Sequence, residues 1–228
     1  MIEIEAYPDR DALAAACAVA IGKALSGSRP RTFAATGGST PGPTYDALAA
    51  RGDVAWEGVT VTLTDDRWLE PDSPLSNARQ VRARLLTGPA AKAAFVPLKG
   101  PGATPQEDAA AVAARIAQCL PFDVVLLGMG PDGHIASLFP CDPNLAAVLD
   151  PAGERLVVGV AQSGLEPFVP RVSLTARALL DARLVVLLVT GEEKRGLLES
   201  VLSGVGPDYP VTAILRQTKT PVRVMWAA

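Results

Sequence analysis

The chain holds one histidine, His134, at the end of the string Leu126-Leu127-Gly128-Met129-Gly130-Pro131-Asp132-Gly133-His134. An imidazole takes up and returns a proton near neutral pH, which suits it to general acid–base work. Asp132, two positions earlier, is placed to support the ring or its loop. Glycines at 128, 130 and 133 let the chain turn sharply after an apolar strand. The same letters also spell G-x-G-x-x-G, the dinucleotide-binding fingerprint. That reading needs a helix directly after the glycines, with its N-terminus on a pyrophosphate. Ile135 to Pro140 leaves room for a single turn, and the unit lies mid-chain rather than at the first strand–helix turn. Asp150 falls near the position of a ribose-binding acid, but it stands alone. A loop that presents one imidazole is the better account, with a purely structural histidine as its rival.

Three other places carry residues of the right type. Thr64-Asp65-Asp66-Arg67 ends an apolar strand. Arg67 there is either part of a solvated turn or a fixed cation for an anionic substrate or a developing oxyanion. Ser76 and Asn77 can cap the helix that follows, and Asn77 can also face a site. Thr36-Gly37-Gly38-Ser39-Thr40-Pro41 joins a strand to a helix. Unpaired N–H groups and two hydroxyls at a helix start favour an anion such as phosphate. No G-K-[ST] follows, so the loop is not a Walker A motif. The plainer alternative is a turn in which Ser39 or Thr40 caps the helix. Arg171 lies at the edge of a strand, just before Thr175 opens a helix. Lys194 sits in a first helical turn, where its charge opposes the helix dipole, and this leaves ligand binding and surface decoration both open.

The elements that must position these residues follow from hydrophobic pattern. Strands are expected at 2–6, 31–36, 59–63, 122–127, 155–160, 170–174, 183–189 and 222–226. Helices are expected at 9–26, 41–50, 76–87, 105–120 and 191–203, with a further one opening at Thr175. Alternating strands and helices, with near-continuous apolar strands, predict an α/β fold: a Rossmann-like, mostly parallel sheet flanked by helices on both faces. The 228 residues form a single domain, 1–228, with no repeat or low-complexity linker; 97–105 reads as a surface loop. Ligands of such sheets bind at the carboxyl ends of the strands, where all of these loops fall.

Composition narrows the function. A net charge of −3 gives no footprint for nucleic acid. No apolar run reaches the length of a membrane span, and the acidic N-terminus lacks the order of a signal peptide. Cys17, Cys119 and Cys141 have no paired spacing, and one histidine cannot build a histidine-rich metal site. Cys17 and Cys119 read as small core residues. No metal is expected, and the setting is expected to be cytoplasmic.

Taken together, residues 36–45 (TGGSTPGPTY), 64–77 (TDDRWLEPDSPLSN), 126–140 (LLGMGPDGHIASLFP), 170–175 (PRVSLT) and 190–195 (TGEEKR) resemble the 6-phosphogluconolactonase family, within the glucosamine-6-phosphate isomerase/deaminase superfamily. The resemblance spans nearly the whole chain. It implies hydrolysis of 6-phospho-D-glucono-1,5-lactone to 6-phospho-D-gluconate in the oxidative pentose phosphate pathway, without metal or organic cofactor. It implies His134 as general base, Asp132 in support and Arg67 at the oxyanion. Gly38, Ser39, Thr40, Arg171 and Lys194 would hold the phosphate, and Asp65, Asn77 and Gly130 would support the site. The family usually has Asp-Glu-Arg where this chain has Asp65-Asp66-Arg67, so Arg67 matches directly and Asp66 is unassigned. The deaminase branch continues after its histidine into a string with an assisting glutamate, whereas here Ala136-Ser137-Leu138-Phe139-Pro140 has none. A non-catalytic sugar-phosphate sensor would carry a DNA-binding segment, and this chain begins almost at its first strand. The oligomeric state is left open.

Overall fold

The computed structural model describes residues 2–162, 164–205 and 207–228. In chain order the strands are β1 (Ile4–Ala6), β2 (Arg31–Ala35), β3 (Val59–Leu63), β4 (Asp65–Arg67), β5 (Ala94–Phe95), β6 (Val124–Leu127), β7 (Val157–Val160), β8 (Arg171–Leu174), β9 (Val185–Thr190) and β10 (Val222–Ala227). The helices are α1 (Arg10–Leu25), α2 (Gly42–Ala49), α3 (Asn77–Arg84), α4 (Pro105–Ala117), α5 (Leu145–Leu149), α6 (Ala176–Leu180), α7 (Glu192–Ser203) and α8 (Thr212–Leu215).

Seven strands form one sheet in the order β1-β10-β9-β6-β2-β3-β5, with every pair parallel. All of β6 is buried, as are five of the six residues of β9. Strands covered on both faces read as continuous apolar runs, which is why Val124–Leu127 and Val185–Val189 stand out in the sequence. α1 lies across β2, β6, β9 and β10, and α7 packs on β9. The chain moves outward from β2 through β3 to β5, then returns to the other side of β2 as β6. Loops leaving β2 and β6 therefore meet at the point where the strand order reverses, the usual ligand crevice of such sheets. At the opposite end of these strands, Asp123 (2% exposed) accepts from Thr32 N–H at 3.0 Å and from Arg31 at 3.1 Å. A buried carboxylate is tolerable there because it is paired.

The helix starts follow local chemistry. Asp9 accepts from Ala12 N–H at 2.7 Å, Ser76 from Arg79 N–H and Thr104 from Glu107 N–H, each at 3.3 Å. Caps of this kind stabilise by about 1 kcal/mol each. One continuous apolar cluster joins the sheet to its helices and includes Cys17 and Cys119; Cys141 is exposed.

The expected elements all form, with boundaries shifted by no more than three residues. Three features depart from expectation. The segments at 155–160 and 170–174 do not join the parallel sheet. As β7 and β8 they pair antiparallel with β4 in a separate three-stranded sheet, ordered β4-β8-β7. Neither Ser39 nor Thr40 caps α2: the helix begins at Gly42 behind Pro41, with no side-chain cap. Ile135 to Pro140 makes no helical turn. It folds back on itself with Ile135 bridging Leu138, and Ala136 takes φ 48°. No helix of the described residues is long and apolar enough to cross a membrane.

Candidate active site

The loop after β6 is shaped around the imidazole. Gly133 N–H donates to Gly130 C=O at 3.1 Å, and Gly130 N–H donates to His134 C=O at 2.9 Å. His134 Nδ1 lies 2.6 Å from Asp132 Oδ1, which also accepts from His134 N–H at 3.2 Å. An ionised carboxylate only accepts, so in the neutral imidazole the proton belongs on Nδ1 and the lone pair on Nε2. The ring is 19% exposed, and its other neighbour is Phe139, 4.7 Å away between centroids. Gly130 is required by this arrangement, since a Cβ there would lie 2.0 Å from His134 Nδ1. Gly133 has φ +74° and packs on Tyr209, while Val211 N–H donates to Gly133 C=O at 3.0 Å. The 209–211 segment therefore supports the histidine turn from a distance that sequence gave no sign of.

His134 lines a cleft of about 200 Å³ at the carboxyl ends of β2, β6 and β9. Gly38, Ser39 and Thr40 line the same cleft after β2, Gly130 after β6 and Lys194 in α7. Asp65, Arg67, Asn77 and Arg171 complete the wall from the smaller sheet and α3. Asp132 stands behind the imidazole. The structure thus brings together the residues that the resemblance implied for the site, Asp132 through its bond to His134, and leaves Asp66, Ser76 and Asp150 outside the cleft.

The cations are held by neighbours. Arg67 Nη1 donates to Leu75 C=O at 2.7 Å and to Asn77 Oδ1 at 2.9 Å. Arg171 is directly opposite Arg67 in the β4–β8 ladder. It is only 5% exposed; its Nη2 donates to Pro167 C=O at 3.2 Å, and its guanidinium lies 5.3 Å from the Phe139 ring centre. Like charges directly opposite in a sheet repel. Burial, and then Arg67, lowers the Arg171 pKa, against a counterpull from Asp65. The Nε atoms of both arginines are buried with no hydrogen-bond partner among the described residues. Two guanidinium groups thus meet on one wall of the cleft, with Asp65 the anion that acts on Arg171. Lys194 Nζ donates to Met129 C=O at 2.6 Å; burial lowers its pKa and Asp132 raises it.

Two acids beside these cations have different work. Asp65 is buried and accepts from Ser137 Oγ at 2.5 Å, and Ser137 N–H in turn donates to Ser173 Oγ at 3.1 Å. These bonds stitch the loop after His134 to β4 and β8. Asp66 (2% exposed) does not line the cleft. It accepts from Asn77 N–H at 2.7 Å, Arg67 N–H at 2.8 Å and Ala78 N–H at 3.1 Å, so it is a capping group for α3. Burial pushes its pKa up to about 6 against the pull of those three donors.

The loop after β2 is pinned from two sides. Tyr45 Oη donates to Thr36 C=O at 2.5 Å, and Gly38 N–H donates to Gln80 Oε1 at 3.0 Å. Gly38 therefore enters the site through its φ of +98° rather than through an unpaired N–H. Gln80, Ser137, Ser173 and Tyr209 are the site supports that sequence reasoning missed. Among the described residues, no group of three or more histidine, cysteine or acidic side chains is placed to hold a metal.

A larger groove, about 850 Å³, lies beyond Phe139 between β7, the start of α4 and residues 141–144. Arg155 is the one cation among its described lining residues, and it lacks the histidine. Volume alone would favour it; the concentration of charge and of an oriented imidazole favours the smaller cleft.

The chain matches the family described as glucosamine-6-phosphate isomerases/6-phosphogluconolactonase over residues 8–226. It belongs to that family. Within it, the chain is similar to lactonases. A 6-phosphogluconolactonase of Caulobacter vibrioides is 46% identical over 230 residues, covering 99% of this chain and 97% of that protein. One from Mesorhizobium japonicum is 42% identical, covering 97% and 94%. The crystal structure of a 6-phosphogluconolactonase from Shewanella baltica superposes with a TM-score of 0.92 at 32% identity, covering 100% of this chain and 98% of that one. The α/β fold expected from the sequence is the fold of this family.

Proposed function

We propose that this protein hydrolyses 6-phospho-D-glucono-1,5-lactone to 6-phospho-D-gluconate, with His134 as general base. The observation that carries the proposal is the His134–Asp132 bond at 2.6 Å, set in a cleft walled by Arg67, Arg171 and Lys194. Asp132 fixes the tautomer that leaves Nε2 as acceptor. Nε2 takes a proton from water as the water oxygen attacks the lactone carbonyl carbon. The carbonyl π pair moves to oxygen, and Arg67 faces the resulting oxyanion. When that intermediate collapses, the bond from the carbonyl carbon to the ring oxygen breaks, and the imidazolium returns its proton to the ring oxygen. General acid–base catalysis of this kind is worth roughly 10²- to 10⁴-fold. Ser39, Thr40, Arg171 and Lys194 hold the phosphate, so binding energy remote from the reacting carbon orients it.

A cytoplasmic setting belongs to the proposal, because a phosphorylated substrate does not cross a membrane unaided. The deaminase reading is disfavoured by Ser137, which stands near the histidine where that branch carries its glutamate string and is committed to Asp65. The test is hydrolysis of freshly made lactone, with spontaneous opening subtracted, for wild type and His134→Ala. Acceleration by wild type alone supports the reaction and its base. Equal acceleration by both removes His134 as the base. Acceleration by neither removes the reaction.

A further inference from the structure

Gln80, on α3, makes two hydrogen bonds to a single residue 42 positions earlier. Its Oε1 accepts from Gly38 N–H at 3.0 Å and its Nε2 donates to Gly38 C=O. Both ends of one side-chain amide are committed to both backbone groups of one glycine. Gly38 is exposed, has φ +98°, and a Cβ built on it would meet nothing within 4 Å. No side-chain packing therefore holds Gly38 itself, and glycine is the residue with most backbone freedom to lose on ordering. The same face of α3 supports the loop on either side. Asn77 lies against Gly37, where a Cβ would fall 1.9 Å from Asn77 Oδ1; Arg84 lies against Gly42 and pairs with Asp46 of α2. Asn77, Gln80 and Arg84 are spaced i, i+3, i+7, so one stripe of α3 braces the whole turn.

We propose that Gln80 is a positioning residue for phosphate binding: its amide locks the Gly38 turn so that Ser39 and Thr40 meet the phosphate already in place. This rests on the phosphate set proposed above. Locking a loop before the ligand arrives removes an ordering cost from binding, and so the effect falls on KM. Gly38 N–H itself is spent on Gln80, which leaves the following residues, whose direction the clamp sets, to face the anion.

Gln80→Met tests this, since it keeps the length and helix preference of the side chain and removes both hydrogen bonds. Gln80→Ala serves as companion. Both should raise KM for 6-phosphogluconolactone by about tenfold, the scale of two partly exposed hydrogen bonds. In both, kcat should stay within about threefold and the melting temperature should hold. Calorimetric titration with inorganic phosphate should show the same factor in Kd. A Gln80→Met protein with wild-type KM and phosphate Kd overturns the clamp, as does a loss that falls on kcat and melting temperature instead. If the wild type binds phosphate but does not turn over the lactone, the proposed reaction fails alone, and the phosphate Kd of Gln80→Met against wild type still decides the clamp. A wild type that binds no phosphate overturns the phosphate set and the clamp with it, while its turnover of the lactone still decides the reaction.

Discussion

Gly130→Ala is the most searching perturbation of the proposed base. The Gly130 backbone is not at positive φ, so alanine meets no backbone strain there. Its new Cβ would lie 2.0 Å from His134 Nδ1, 2.1 Å from Cε1 and 2.7 Å from Asp132 Oδ1. Ordinary contact begins at about 3.4 Å, so the imidazole must retreat by more than an ångström, and its bond to Asp132 must stretch or break. Misplacing a reacting group by about 1 Å costs on the order of 10²-fold. We therefore expect kcat to fall by about 10²-fold, approaching His134→Ala without passing below it. Stability should change by no more than about 1–2 kcal/mol, the scale of one partly exposed hydrogen bond, because the atoms displaced belong to side chains at the cleft and not to backbone. The assay is lactone hydrolysis corrected for spontaneous opening, beside a urea melt of each protein. A Gly130→Ala enzyme with more than half of the wild-type kcat would refute the reasoning, since the ring would then not need to stand where the structure puts it.

Asp132→Asn should cost kcat about 10²-fold or more: an amide N–H facing Nδ1 drives the ring proton to Nε2 and removes the base. A kcat within threefold of wild type would show that the tautomer is set elsewhere. Lys194→Ala and Arg171→Ala should each raise KM by roughly tenfold or more while kcat changes less, in the range expected for one charge-assisted hydrogen bond; unchanged KM in both breaks the phosphate assignment. Asp66→Ala should destabilise the fold by about 1–3 kcal/mol, because the buried N–H groups of Arg67, Asn77 and Ala78 lose their acceptor. Urea denaturation measures this, and a stability equal to wild type would deny Asp66 its capping role.

The parallel sheet was legible in the sequence because β6 and nearly all of β9, at its centre, are buried on both faces and read as continuous apolar runs. The cleft residues were legible for a related reason: turns at the carboxyl ends of such strands are where polar groups and glycines concentrate. The smaller sheet was not legible. β4 is Asp65-Asp66-Arg67, three charged residues with no apolar alternation, and β8 opens with a buried arginine. β4 exists through its partner rather than through its own pattern, whereas β7 and β8 were legible as strands and only their separate antiparallel pairing was not. β5, α5 and α8 are too short to show a period. Ser39 and Thr40 have the composition of caps, yet the chain turns at Pro41 before α2 begins. Gln80 and Ser137 look like ordinary polar residues because their partners are 42 and 72 positions away. Asp66, a conspicuous acid beside Arg67, serves a helix terminus, a distinction that residue type cannot carry.

The cleft takes residues from the ends of β2, β6 and β9, from β4, and from β8. No contiguous stretch of chain contains it, and β9 reaches its place only by pairing with β6. During folding, β9 must pair with β6 before Lys194 and His134 line one cleft, and contacts so distant along the chain form late because loop closure precedes their reward. Catalytic activity is therefore a reporter of the last stage of folding. In a refolding experiment, turnover should return after most helical signal has recovered.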